Sequence, residues 1–163
     1  MSTALVNSQP TSTRWQRTAK APLRKDAVLS FTLSVRADRR RVFQVMTVAE
    51  YMETWFCVPG RLPDSPLRVA SDLRSFRIEY FNGAREITTV TGNFQTLRRG
   101  KMTFAWNREG VPQIPGSLVM VRLYGDFERT TLCLMHSGLQ AGEDFRWQRD
   151  FWEQSLDKLC SLF

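Results

Sequence analysis

Between residues 28 and 36 apolar and polar side chains alternate. Leu29, Phe31, Leu33 and Val35 fall on one side, and Ser30, Thr32, Ser34 and Arg36 on the other. A period of two marks a strand with one face in a core. Asp38 then offers a carboxylate to the free amides of a helix start, and Val42, Phe43 and Met46 follow at helical spacing. Thr47 with Glu50 three residues on has the form of a capping box, which predicts a second short helix through Tyr51, Met52 and Trp55. The stretch from Val58 to Pro66 holds Pro59, Gly60, Pro63 and Pro66 and predicts a loop.

From about Leu73 the pattern is that of successive strands. Phe76, Ile78 and Tyr80 alternate with Arg77 and Glu79, and Asn82-Gly83 is a hairpin turn signal because both residues tolerate positive φ. A weaker strand runs from Glu86 to Leu97. Met102, Phe104 and Trp106 then alternate with Thr103 and Ala105. Pro112, Pro115 and Gly116 break the chain before Ser117 to Tyr124, where Val119, Val121 and Leu123 share a face. After a turn at Gly125 to Glu128, Thr130, Leu132, Leu134 and His136 line one side of a last strand, with Thr131, Cys133 and Met135 on the other. Beyond Gly142 the period becomes helical: Phe145, Gln148, Trp152, Leu156, Leu159 and Phe163 step by three or four. This apolar stripe needs cover, and the inner face of the sheet is the surface available. The order is strand, two short helices, about five antiparallel strands and a long closing helix, an α+β arrangement.

Composition narrows the class. A chain of 163 residues with 42% hydrophobic and 12% aromatic residues has the material for one packed domain. No window approaches the roughly 18 consecutive apolar residues of a membrane span. Cys57, Cys133 and Cys160 are an odd, widely spaced trio, as expected of reduced thiols in a cytoplasmic protein without a signal peptide. Of the net charge of +7, residues 1 to 25 supply +5 through Arg14, Arg17, Lys20, Arg24 and Lys25. The excess therefore belongs to a tail, which argues against nucleic-acid binding by the folded surface. The expected division is a flexible basic extension over 1–26 and one domain over 27–163.

Four segments carry a family resemblance. Arg41-Val42-Phe43-Gln44-Val45-Met46-Thr47 with Tyr51, Trp55 and Phe56, Gly92 to Trp106, Thr130 to Leu139, and Trp152 to Leu159 resemble, in order and spacing, the START-like or SRPBCC superfamily. Within it, they resemble the branch named for the activator of the heat-shock-protein-90 ATPase. That resemblance implies a helix-grip (START-like, Bet v 1-like) fold, with a curved antiparallel sheet, two short helices and a long carboxy-terminal helix. It also implies a cavity between sheet and helix that different members use for apolar ligands. The activator's further amino-terminal domain has no counterpart in the few residues before Ala27.

Candidate chemistry is sparse. His136 is the only histidine, so any triad, Cys-His pair or histidine metal site would have to use it. Without a placed partner, its ordinary role is that of a hydrogen-bonded residue at a strand end; its functional role would be polar anchor or acid-base group. The cysteine spacing fits no zinc site, and the glycines form no phosphate-cradling loop, so neither metal nor cofactor is expected. Arg39-Arg40-Arg41 is a solvated patch or a site for an anion or protein partner.

The inward aromatics weigh more. The expected function is binding of an apolar small molecule by Phe31, Tyr80, Phe104, Trp106, His136, Trp152 and Leu156, with Tyr80, Trp106 or His136 orienting it. Two alternatives stand beside it. One is an enzyme of the polyketide-cyclase or dehydratase kind, in which His136 moves a proton with Tyr80 as second group. The other is a chaperone-associated interaction module or homodimer.

Overall fold

The computed structural model describes residues 16–17, 27–61, 65–82, 86–110 and 117–163. Their element order is β1 (Gln16–Arg17), β2 (Ala27–Val35), α1 (Arg39–Thr47), α2 (Ala49–Trp55), β3 (Leu67–Ser71), β4 (Ser75–Asn82), β5 (Glu86–Arg98), β6 (Lys101–Arg108), β7 (Leu118–Gly125), β8 (Thr130–Leu139) and α3 (Glu143–Cys160). Among these residues the strands make one antiparallel sheet in the order β1-β2-β8-β7-β6-β5-β4-β3. The two short helices join its β2 and β3 strands, and α3 crosses its inner face. This is the α+β helix-grip arrangement expected from the pattern.

Alternation decides which face is inner. Leu29, Phe31, Leu33 and Val35 of β2 are buried, as are Thr130, Leu132, Leu134 and His136 of β8, the latter four at 1% exposure or less. Register places Phe31 opposite Leu134 and Leu123 opposite Leu132, so the two stripes meet in one core. Helix α3 adds Phe151, Trp152, Leu156 and Leu159. Burying an aliphatic or phenyl side chain of this size contributes about 1.5–3 kcal/mol.

Several local expectations are corrected. Asp38 does cap α1, its carboxylate accepting from the Arg41 amide at 2.7 Å. Thr47 does not cap α2: its hydroxyl donates back to the Phe43 carbonyl at 2.8 Å, and Val48 occupies the cap position without a side-chain bond. A threonine at the last position of one helix finds the carbonyl four residues back sooner than the amides of the next. Strand β3 begins at Leu67, ahead of the expected onset of strands at about Leu73. Its only buried residue is Val69, and it is held from outside by the Val69 amide donating to Glu53 of α2 at 2.8 Å. On α3 the stripe takes in Phe151 and Ser155 besides the expected residues, and Phe145 is only half-buried. Of the expected 1–26 extension, Gln16–Arg17 pairs with Phe31 and Thr32 of β2, since backbone pairing with an open edge needs no side-chain period. The rest of that segment, Gly83 of the expected hairpin turn and the Pro112 to Gly116 break lie outside the described residues.

Strand β5 carries two features that bend a sheet. A bulge lies between Phe94 and Thr96, and Gly92, paired with both Phe76 and Trp106, leaves room for the Phe76 ring to lie directly over its backbone. A Cβ at 92 would run into that ring. Gly92→Ala is therefore expected to destabilise the protein by about 1–3 kcal/mol through overpacking, read as a lower urea midpoint with unchanged slope.

Candidate functional site

Four of the seven expected ligand residues come together under α3. The Trp106 ring on β6 lies 5.0 Å from Trp152, 5.9 Å from His136 and 6.3 Å from Phe104, centroid to centroid. Phe151, absent from the expected set, completes the cluster at 5.2 Å from both Trp106 and Trp152. Leu156 is buried one turn along the same helix face as Trp152. Phe31 is buried on β2 opposite Leu134. Tyr80 is buried on β4, and three strands, β5, β6 and β7, separate it from His136. At about 4.8 Å per strand the two are not a hydrogen-bonded acid-base pair.

The polar atoms of the cluster have partners. The Trp152 indole N–H donates to His136 Nδ1 at 3.1 Å, and His136 Nε2 lies 2.9 Å from Ser117 Oγ. Because an indole can only donate, Nδ1 must be the bare nitrogen; Nε2 then carries the proton and donates to Ser117. His136 is fully buried, and the loss of solvation pushes its pKa down from 6.5 to about 3. The imidazole is neutral at physiological pH, with its basic nitrogen occupied. Ser117 accepts from it and keeps its own hydroxyl proton to give. This is the wrong tautomer for a histidine that would activate the serine.

A second relay runs from Trp106 to the start of α3. The Trp106 indole N–H donates to Gln148 Oε1 at 2.9 Å, and Gln148 Nε2 donates to Asp144 Oδ1 at 3.3 Å. Asp144 also faces Arg108 at 3.8 Å, and the Arg108 guanidinium lies 3.9 Å above the Trp147 ring. Arg108 Nε is buried with no hydrogen-bond partner among the described residues. Arg108, Ser117 and Gln148 were not singled out from sequence. For Arg108 the signal was present: it extends the inward stripe Met102, Phe104, Trp106 by one step, a cation where the period calls for a core residue.

Other candidates are placed elsewhere. Arg39, Arg40 and Arg41 are exposed on the first turn of α1, Arg41 stacking over Tyr51 at 4.7 Å. The three cysteines are free and half-buried, and burial pushes the Cys160 thiol up, away from reactivity. An open groove of about 460 Å³ lined by Glu53, Arg68, Val69, Ala70, Arg77 and Glu79 lies beside α2 and β3; none of the clustered rings lines it, and its Arg77 and Glu79 pair with each other. No helix among the described residues is long and apolar enough to cross a membrane, and no three metal-ligating side chains among them converge.

Comparison with known proteins supports the fold and nothing finer. No family model matches the chain, and no curated protein matches it. Solved structures do. A Rhodobacter sphaeroides protein is similar at 12% identity, over 91% of this chain and 97% of its own, with a TM-score of 0.69. A Chromobacterium violaceum protein is similar at 15% identity over 83% and 96%, with a TM-score of 0.67. A protein described as an Aha1 dimer, from Colwellia psychrerythraea, is similar at 15% identity over 83% and 94%, with a TM-score of 0.61.

The single histidine makes its state measurable. Its ring resonances are expected to report the Nε2–H tautomer and to stay flat from pH 8 to pH 5 by NMR, values that follow from a folded-state pKa of about 3. The unfolded chain binds a proton near pH 6.5 and the folded one does not, so stability is fully present above that pH. It then falls by about 1.4 kcal/mol per pH unit between 6.5 and 3. Urea titrations at pH 7 and pH 5 should show this slope in the parent and a shallower one in His136→Gln.

Proposed function

We propose that the protein binds an apolar small molecule carrying an anionic head group, and that the head lies against Arg108 and Ser117 while the tail enters by opening α3 over Trp106, Phe151 and Trp152, which are buried against one another. The observation that supports this most directly is the buried Arg108 Nε–H without an acceptor, at the end of an otherwise apolar stripe. A guanidinium in that state has donors to give, and a carboxylate satisfies it in the two-pronged geometry that neutral acceptors cannot match. Ser117 adds a hydroxyl donor whose oxygen is already fixed by His136. Affinity would come from apolar burial at ~25 cal/mol per Å², and orientation from these two residues.

The reading is of a binding protein rather than an enzyme. What supports the choice is the occupied basic nitrogen of His136 and its separation from Tyr80 by three strands. Kinship with the branch named for the heat-shock-protein-90 ATPase activator, a division into a 1–26 extension and a 27–163 domain, and a cytoplasmic location belong to the same proposal. Segment order and the Aha1 neighbour support the first; the free thiols support the last.

Dodecanoate and dodecanol separate head from tail. Dodecanoate is expected to raise the thermal midpoint and to quench tryptophan fluorescence in a saturable way. Arg108→Gln should weaken dodecanoate by roughly tenfold and leave the weaker binding of dodecanol unchanged. Equal affinity of parent and variant for dodecanoate removes Arg108 from the site; no stabilisation by either probe removes the function.

A further inference from the structure

The antiparallel order sends the turns of the sheet to two ends, and the ends differ in charge. At one end lie the exit of β2 with the start of α1, the β7–β8 turn, the β5–β6 turn and the β3–β4 turn. These bring together Arg36, Arg39, Arg40, Arg41, Arg74, Arg98, Arg99, Lys101, Arg122 and Arg129, all exposed. That is ten of the seventeen Lys and Arg among the described residues of 27–163, against five of the fourteen Asp and Glu: Asp38, Asp72, Asp126, Glu128 and Glu50, which opens α2 where the Thr47 carbonyl meets Ser71 of β3. The end carries +5 and the remaining described residues of 27–163 carry −2. None of the ten cations forms an ion pair among the described residues.

The same end presents apolar side chains at its tips. Phe127 in the β7–β8 turn is 93% exposed and Leu73 in the β3–β4 turn is 64% exposed. The two turns are about four strand steps apart, roughly 19 Å along the sheet. Leu73 sits at φ +67, a conformation that favours glycine over a residue with a branched side chain. Asp72 and Asp126 are committed to shaping these turns: Asp72 accepts from the Arg74 and Ser75 amides and Asp126 from the Glu128 and Arg129 amides. Their role is to hold Leu73 and Phe127 outward, and the Arg99 turn lies between the two.

We infer that this basic end docks on an anionic lipid surface, its arginines against the headgroups and Phe127 and Leu73 in the headgroup-acyl boundary. The charge alone would suit any polyanion. Two apolar tips on either side of a cationic row suit a plane that is charged outside and apolar beneath, whereas an aliphatic Leu73 has neither a ring to stack on a base nor a donor to read one. This inference is independent of the ligand proposed for the Arg108 region, which lies at the opposite end of β6.

Sedimentation of the full chain with vesicles tests it, using phosphatidylcholine alone and phosphatidylcholine mixed with phosphatidylserine at low and high salt. Retention is expected on the mixed vesicles only, and only at low salt. Arg98→Glu with Arg99→Glu should lower it by about tenfold. Phe127→Ser should lower it severalfold, and so should Leu73→Gly, without lowering the thermal midpoint in either case. Unchanged retention of the charge variant would assign binding to the amino-terminal tail and overturn the inference. So would unchanged retention of both tip variants, equal retention on neutral vesicles, or capture by duplex DNA in place of vesicles.

Discussion

The interior is organised around one neutral imidazole. His136 comes from β8, accepts from Trp152 on α3 and donates to Ser117, the residue just before β7. Sheet and closing helix are thereby joined through a ring that has lost its solvent and must find both partners inside the protein. A charged imidazole could not accept from the indole, so proton and helix compete for the same nitrogen. The position of Trp152, and through its ring contacts that of Trp106 and Phe151, depends on which of them holds it.

A related division of labour holds along α3. Its amino-terminal turns carry Asp144, Trp147 and Gln148, which engage Arg108 and Trp106 through charge, stacking and amide bonds. Further along, Ser155 accepts from the Cys57 amide at 2.8 Å and fastens the exit of α2 to the helix. One helix thus has a directional, polar attachment at each of three levels, the Trp152 bond to His136 lying between these two, with aromatic packing around it. Hydrogen bonds fix its register, and ring burial supplies most of the driving force.

Much of this architecture was legible in period alone. The β2 and β8 stripes, the Asp38 cap and the change from period two to helical period after Gly142 are local signals, and the structure follows them. What escaped depended on tertiary partners. Strand β3 is five residues with one buried side chain, defined by pairing with β4 and by a glutamate on α2. The tautomer of His136 required knowing that an indole would face it. Of the ten cations only Arg39, Arg40 and Arg41 stand out as a run in the sequence; the other seven come from separate segments that the fold alone brings to one end. Arg108 is the exception, since a cation at an inward step of a strand is visible in the sequence.

The two ends of β6 place Lys101 and Arg108 at opposite limits of the molecule. A domain whose own positive charge is concentrated at one extremity experiences a torque in the field of a negative plane before it touches it, so approach and alignment of that domain are a single event. The extremity bearing Arg108 would then face the aqueous phase. Cargo exchanged there would pass to and from solution or a soluble acceptor, and the leaflet beneath would serve as anchorage instead of as reservoir.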